Sequence, residues 1–373
     1  MPEVIERIET HLVDLPTIRP HRLSMTTMAC QTLVLVRMHH SDGVEGLGEA
    51  TTIGGLSYGA ESPESIKCNI DTYLAPLLIG QPSASVNALR ARMNRHVRGN
   101  AIAKSALETA LLDAQGKRQG LSIADLLGGA RHNHLPVLWT LASGDTHQDI
   151  DEALQRFDDR RHCDFKIKIG ANAVDDDVRH VAAIKAALGE RASVRVDVNQ
   201  AWNETTAVRG IAALQDAGID LIEQAISARE MPGLVRLSQR FQVPMLADEA
   251  VQDACDGFTL AANGFSGAYA LKLAKSCGIG GALELAHVAQ AAGISLYGGT
   301  MLEGTIGTVA SLHAWSTLPE LAWGTEMFGP LLLRDDIMTE PLRYHDFGVD
   351  LPCGPGLGVQ LDEDKLAHYR RKH

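Results

Sequence analysis

Positive charge is scarce in this chain: 34 lysines and arginines stand against 46 aspartates and glutamates, a net charge of −12 over 373 residues. That deficit argues against a nucleic-acid surface and otherwise reflects solubility. Cysteine chemistry is thin as well. Cys30, Cys68, Cys163, Cys255, Cys277 and Cys353 lie far apart with no CxxC pair, so neither a disulfide framework nor a zinc-ligand spacing exists. No apolar run reaches the roughly 18 residues of a membrane span. The opening "MPEVIERIETHLVDLP" places acids where a secretion signal needs positive charge and then an apolar core. The expectation is a cytoplasmic protein with no nucleic-acid or membrane partner.

What is present is ordinary globular material, 45% hydrophobic and 21% charged. The length suits a barrel of about 250 residues plus a smaller domain. Residues 4–14 and 32–38 read as strands, the second passing through a Ser41-Asp42-Gly43 turn into "VEGLGEA". A glycine-rich loop, "TTIGGLSYGA" at 51–60, precedes a helix that Ser62 caps and Pro63 begins. Helical patterning over 101–118 completes an α+β unit over residues 1–130.

From residue 134 the rhythm becomes strand–helix alternation. Short apolar strands are predicted at 135–141, 164–169, 193–198, 219–223, 243–247, 268–273 and 293–297, with a weaker eighth near 321–325. Helical stretches such as 175–188, 204–217 and 280–292 separate them. Strands of this kind pair in parallel under a coat of helices, and about eight units imply a (β/α)8-type barrel within an α/β fold, residues 131–338. An open doubly wound sheet is the alternative, but no glycine-rich dinucleotide turn follows the first strand. The tail, 339–373, leaves the repeat and is expected to return to the N-terminal unit and complete it as a cap.

The chemistry lies in what ends each strand. In "DFKIKIG", 164–170, strand alternation sends Lys166 and Lys168 to the same face. Later strands end in Asp197 followed by Asn199, in Glu223, in Asp248 followed by Glu249, and in Lys272; Glu326 follows the last. From Lys168 the steps are 29, 26, 25 and 24 residues, one βα unit each. Charged groups at the C-terminal ends of neighbouring barrel strands face one cavity, where barrel active sites sit. One such charge is an ordinary solvent-facing strand end; five consecutive units are not. Asp197, Glu223 and Asp248 form a three-carboxylate cluster that needs a cation. Hard oxygens without histidine or cysteine favour Mg²⁺ or Mn²⁺ over zinc. Lysines on both sides, their pKa lowered by each other and by partial burial, can act as acid or base. The reaction class is proton transfer at the carbon α to a carboxylate. A metal-dependent hydrolase would not require lysines on both faces, and a silent barrel has no reason to keep the whole set.

These residues, quoted as "DVNQAW" (197–202), "IEQ" (222–224), "ADE" (247–249) and "LKL" around Lys272, look familiar. With "GEATTIGGLSYG" (48–59), "LLDAQGKR" (111–118) and "GTEMFGPLLL" (324–333), they resemble the muconate-lactonizing subgroup of the enolase superfamily over nearly the whole chain. The resemblance implies that Asp197, Glu223 and Asp248 bind Mn²⁺ or Mg²⁺. It implies that Lys168 protonates an enolate carbon, that Lys166 stabilises the charged carboxylate, and that Lys272 is a second acid/base on the opposite face. Glu326 would be a further active-site carboxylate and Glu249 a neighbour of the ligands. Ile53, Tyr58 and Asn199 would contact substrate. The implied reaction is the reversible cycloisomerisation of cis,cis-muconate, a small dicarboxylate, to muconolactone in aromatic-compound degradation, with no redox cofactor and in a homo-oligomer, an octamer. Chlorinated-substrate cycloisomerases and dipeptide epimerases share the lysine pair. Two positions depart from the family pattern: Ala225 stands where proline is usual and Ala250 where serine is common, both beside metal ligands and so expected to relax ligand orientation.

Overall fold

The computed structural model describes residues 3–22 and 26–372. Three antiparallel strands open the chain as a meander: β1 (Ile5–Arg22), β2 (Thr27–His40) and β3 (Glu45–Thr51). The turn between β2 and β3 lies where the sequence placed it, with Gly43 in the left-handed region at φ +82°. The first two strands overrun their expected ends. β1 is an edge strand, so Pro16 and Pro20 cost it little, and its register shifts between Pro16 and His21. Beyond Pro16 the pairing is interrupted, Thr17 bridging instead to Leu333, and it resumes at His21 opposite Met28.

Ser62 caps the helix Pro63–Asn69 in a reciprocal pair with Ser65, as its sequence implies. The helix Ala101–Gln119 lies against β3. Gly46 and Gly48 make that contact possible, because a Cβ at either would collide with the carbonyl oxygen of Ala110 or Ala106.

β4 (His134–Pro136) and β5 (Trp139–Leu141) correct the single strand expected over 135–141. Only β5 enters the barrel; β4 joins a separate antiparallel sheet with residues 344–345 and 348–350. The barrel continues through β6 (Asp164–Lys168), β7 (Ser193–Asp197), β8 (Leu221–Glu223), β9 (Met245–Ala247), β10 (Gly267–Leu271) and β11 (Ser295–Gly298), all parallel and in sequential order. The eighth strand is reduced to a bridge. Thr325 pairs with Val137 on one side and Gly298 on the other, closing the ring. A longer strand is prevented by the turn at Gly324, whose φ is +62° and whose N–H bonds Leu321 O at 2.9 Å.

β12 (Tyr344–His345) and β13 (Gly348–Asp350) pair with β4. The last helix, Glu363–Tyr369, lies against the N-terminal meander instead. There Arg370 bridges Val13, and the Arg371 guanidinium holds Asp14 at 2.7 Å and Glu64 at 2.6 Å.

Candidate active site

Strand register assembles the mouth of the barrel. Lys168 is paired across the ladder with Asp197, and Asp197 with Glu223, so three consecutive strand ends stand side by side. One layer deeper, Lys166 is paired with Arg195. The same cavity is lined by Lys168, Asp197, Asn199, Glu223, Asp248, Lys272 and Glu326, with Ile53 and Tyr58 reaching in from the N-terminal region. One residue expected there does not line it. Lys166, 1% exposed, lies beneath, its Nζ 2.5 Å from Glu223 Oε2 and 2.6 Å from Glu326 Oε1. Glu249 lies behind Asn199, whose side-chain amide donates to it at 3.3 Å.

Each cavity lysine has an acid of its own. Lys168 Nζ donates to Asp197 Oδ2 at 2.5 Å and to Asn199 Oδ1 at 3.2 Å. Across the barrel Lys272 Nζ reaches Asp248 Oδ2 at 2.6 Å and the Tyr58 hydroxyl at 3.1 Å. Asp248 Oδ1 takes Lys275 Nζ at 2.7 Å. The Gln224 side-chain oxygen accepts the N–H groups of Asp248 and Ala250 at 3.0 and 3.1 Å. The backbone on both sides of Asp248 is therefore tied down without a serine at position 250. At the other departure, the Ala225 carbonyl accepts the Trp202 N–H at 3.1 Å.

Electrostatics corrects the expected lysine pKa values. Burial alone would lower Lys166, but Glu223 and Glu326, with Tyr297 and Asp197, outweigh it and hold the ammonium well above its ordinary value. Lys272 is raised the same way, Asp248 overcoming desolvation. The acids divide. Burial works against ionised Asp248 and Asp197, yet Lys272 and Lys275 lower the first, and Lys168 and Lys166 the second. Glu223 goes up, because burial and the Asp197 charge exceed the pull of Lys166. Burial, then Asp248 and Asp197, push Glu249 up to about 7.

Several groups escaped the sequence reading. His21, 1% exposed, enters the pocket wall from the far end of β1, and burial followed by the Lys168 charge lowers its pKa to about 3. Thr140, Thr300, Leu302 and Phe328 also line the cavity. Lys275 carried a faint signal, a second lysine one turn after Lys272; His21 carried none, since nothing local links it to the barrel.

The donor chemistry fits a hard divalent cation. Asp197, Glu223 and Asp248 are 1%, 2% and 1% exposed, and the burial and then the Asp197 repulsion that raise Glu223 are what a cation would offset. Their oxygens are drawn apart onto separate lysines. Among the described residues only His134, His345 and Asp350, outside this pocket, bring three such donor atoms within 4.8 Å of one another.

Fold and site together define a class: a parallel α/β barrel whose mouth sets carboxylates between two lysine walls, in the manner of enolase-type centres. Residues 7–128 match the mandelate racemase / muconate lactonizing enzyme N-terminal domain, and residues 148–365 match the enolase C-terminal domain-like family. The chain belongs to the mandelate racemase / muconate lactonizing enzyme family of the enolase superfamily. Muconate cycloisomerases of this superfamily use a divalent metal. Muconate cycloisomerase 1 of Pseudomonas putida is 57% identical over 371 residues, 99% of each chain. A chloromuconate cycloisomerase of Pseudomonas sp. strain P51 is 47% identical over 98% of this chain and 99% of its own. Among solved structures, muconate lactonizing enzyme from Pseudomonas fluorescens complexed with muconolactone superposes with a TM-score of 0.98 at 57% identity, covering 100% of both chains.

Proposed function

We propose that this protein catalyses the reversible cycloisomerisation of cis,cis-muconate to muconolactone in aromatic-compound degradation, with Mn²⁺ or Mg²⁺ as its cation. The observation that supports this most is the order of strand ends around the barrel: lysine ending β6, acids ending β7 and β8 and following β9, lysine following β10. That order sets Lys168 and Lys272 on opposite walls with the three acids between them.

Asp197, Glu223 and Asp248 would hold the cation, which when bound supplies Lewis-acid stabilisation of the substrate carboxylate that gathers charge. Lys166, kept charged by Glu223 and Glu326, adds fixed positive charge beneath that carboxylate. An oxygen of the distal carboxylate adds to the double bond; a C–O bond forms and the π pair moves toward the other carboxylate as an enolate. Lys168 delivers its proton to the enolate carbon, so one proton is taken up overall and no redox partner is needed. Lys272 is the acid/base of the opposite face, and Glu326 acts through its contact with Lys166. Ile53, Tyr58 and Asn199 contact the substrate. The division into a cap (1–130), a barrel (131–338) and a returning tail (339–373) belongs to the same reading, as do a cytoplasmic location and a homo-octamer.

The decisive assay follows the loss of muconate absorbance beside a chlorinated muconate and a dipeptide. Muconate is expected to show the highest kcat/KM; a higher value for the chlorinated compound or for dipeptide epimerisation would replace muconate as the substrate. Dialysis against a chelator is expected to abolish turnover and Mn²⁺ to restore it, and a chelator-resistant enzyme would end the metal assignment.

A further inference from the structure

A second group of ligating side chains lies in the β4–β13–β12 sheet. Because β4 leads directly into β5, this sheet sits at the N-terminal ends of the barrel strands, opposite the mouth. Asp350 on β13 is register-paired with His134 on β4, and His345 on β12 with Gly348. His134 Nδ1 is 2.9 Å from Asp350 Oδ1, and His345 Nε2 is 3.0 Å from both oxygens of the same carboxylate. The two rings are 4.9 Å apart. Gly348 makes room for this: a Cβ there would collide with His134 Nε2 and with Leu135 O.

The far side of His345 is also occupied. Its Nδ1 lies 3.2 Å from Asp346 Oδ2, and the Arg160 guanidinium holds Asp346 at 2.8 Å. An imidazole that gives its Nδ1 proton to a carboxylate presents an Nε2 lone pair on its other side, the arrangement that orients metal-binding histidines. Here both ring nitrogens of His345 meet a carboxylate, Asp350 at Nε2 and Asp346 at Nδ1, and a cation at Nε2 would replace the proton shared there with Asp350.

We infer that His134, His345 and Asp350 form a second metal site, one for Zn²⁺. Two imidazole nitrogens and one carboxylate suit a borderline cation, in contrast to the all-oxygen acids at the mouth, which suit Mg²⁺ or Mn²⁺. Such an ion would tie the β12–β13 hairpin to the strand that leads into the barrel. The inference does not depend on which substrate the mouth takes.

The test uses the full-length protein, stripped with a chelator and then saturated with Mg²⁺ to occupy the mouth. Calorimetric titration with Zn²⁺ is expected to find one equivalent at micromolar affinity or tighter, and Zn²⁺ is expected to raise the thermal midpoint. Asp346→Asn, which removes only the orienting carboxylate, should weaken binding about 10–100-fold. His345→Ala should weaken it further and cancel the thermal shift, with turnover in Mg²⁺ unchanged. Zn²⁺ affinity no better than millimolar, or affinity that survives His345→Ala, would reduce the trio to a hydrogen-bonded His–Asp–His contact and overturn the site.

Discussion

The two lysine walls of the pocket reach one outcome by different local geometry. On β6 the pair is Lys166 and Lys168, two residues apart on one strand face, and depth separates them. Lys166 sits beneath the cavity between Glu223 and Glu326, while Lys168 lines it beside Asp197. After β10 the pair is Lys272 and Lys275, one turn apart, and a single acid separates them: Asp248 takes Lys272 on one oxygen and Lys275 on the other. In each pair one lysine faces the cavity and the other neutralises a buried acid. Desolvation favours a neutral amine on both walls, and the surrounding charges decide whether each pKa rises or falls against it. Lys166, held by two, is raised; Lys275, sharing one acid with Lys272, is lowered by its burial.

Removing the cavity-facing member should have the largest effect. Lys168→Ala is expected to cut lactonisation by about 10²–10⁴-fold while far-ultraviolet dichroism and Mn²⁺ binding persist. Near wild-type turnover would contradict the acid/base assignment. The next effect concerns stability. Lys166→Met leaves Glu223 and Glu326 buried without their shared cation, and urea unfolding should register a loss of about 3–5 kcal/mol. Lys275→Met should cost less, about 1–3 kcal/mol, because Asp248 keeps Lys272. Equal losses for the two variants would erase the asymmetry between the walls.

The last effect is read in pH and comes from an acid with no lysine at all. Glu49 accepts the Gly304 and Gly307 N–H groups at 2.7 and 3.2 Å, at the start of the helix Thr305–Ser316. Burial, against those bonds and reinforced by Glu303, raises it from 4.5 to about 8. The folded state therefore binds the proton more tightly than the unfolded chain does. Stability from this group is full below 4.5 and falls as pH rises to about 8. Glu49→Gln should flatten that part of the stability profile; a slope identical to wild type would show that Glu49 is not its source.

Much of this architecture could be read in advance. The barrel repeat and the charged strand ends were legible because strand alternation and βα spacing are local properties of the chain. The left-handed turn at Gly43 and the Ser62 cap were legible for the same reason. The split of 135–141 was not, since it depends on β4 finding β13, more than two hundred residues away in sequence. Nor was the shortened eighth strand, which only the bridges from Thr325 to Val137 and Gly298 reveal. His21 could not be assigned to the pocket because the path of β1 beyond Pro16 is set by contacts with Leu333 and Arg334.

By itself, then, the sequence determined that a barrel would form and that lysines and acids would end its consecutive strands, because repeat length and side-chain alternation follow from neighbouring residues. Only the tertiary structure decided which lysine faces the cavity, which lies under it, and which groups carry raised or lowered pKa values. Those outcomes are set by through-space distances in a low-dielectric interior, between charges that lie far apart along the chain.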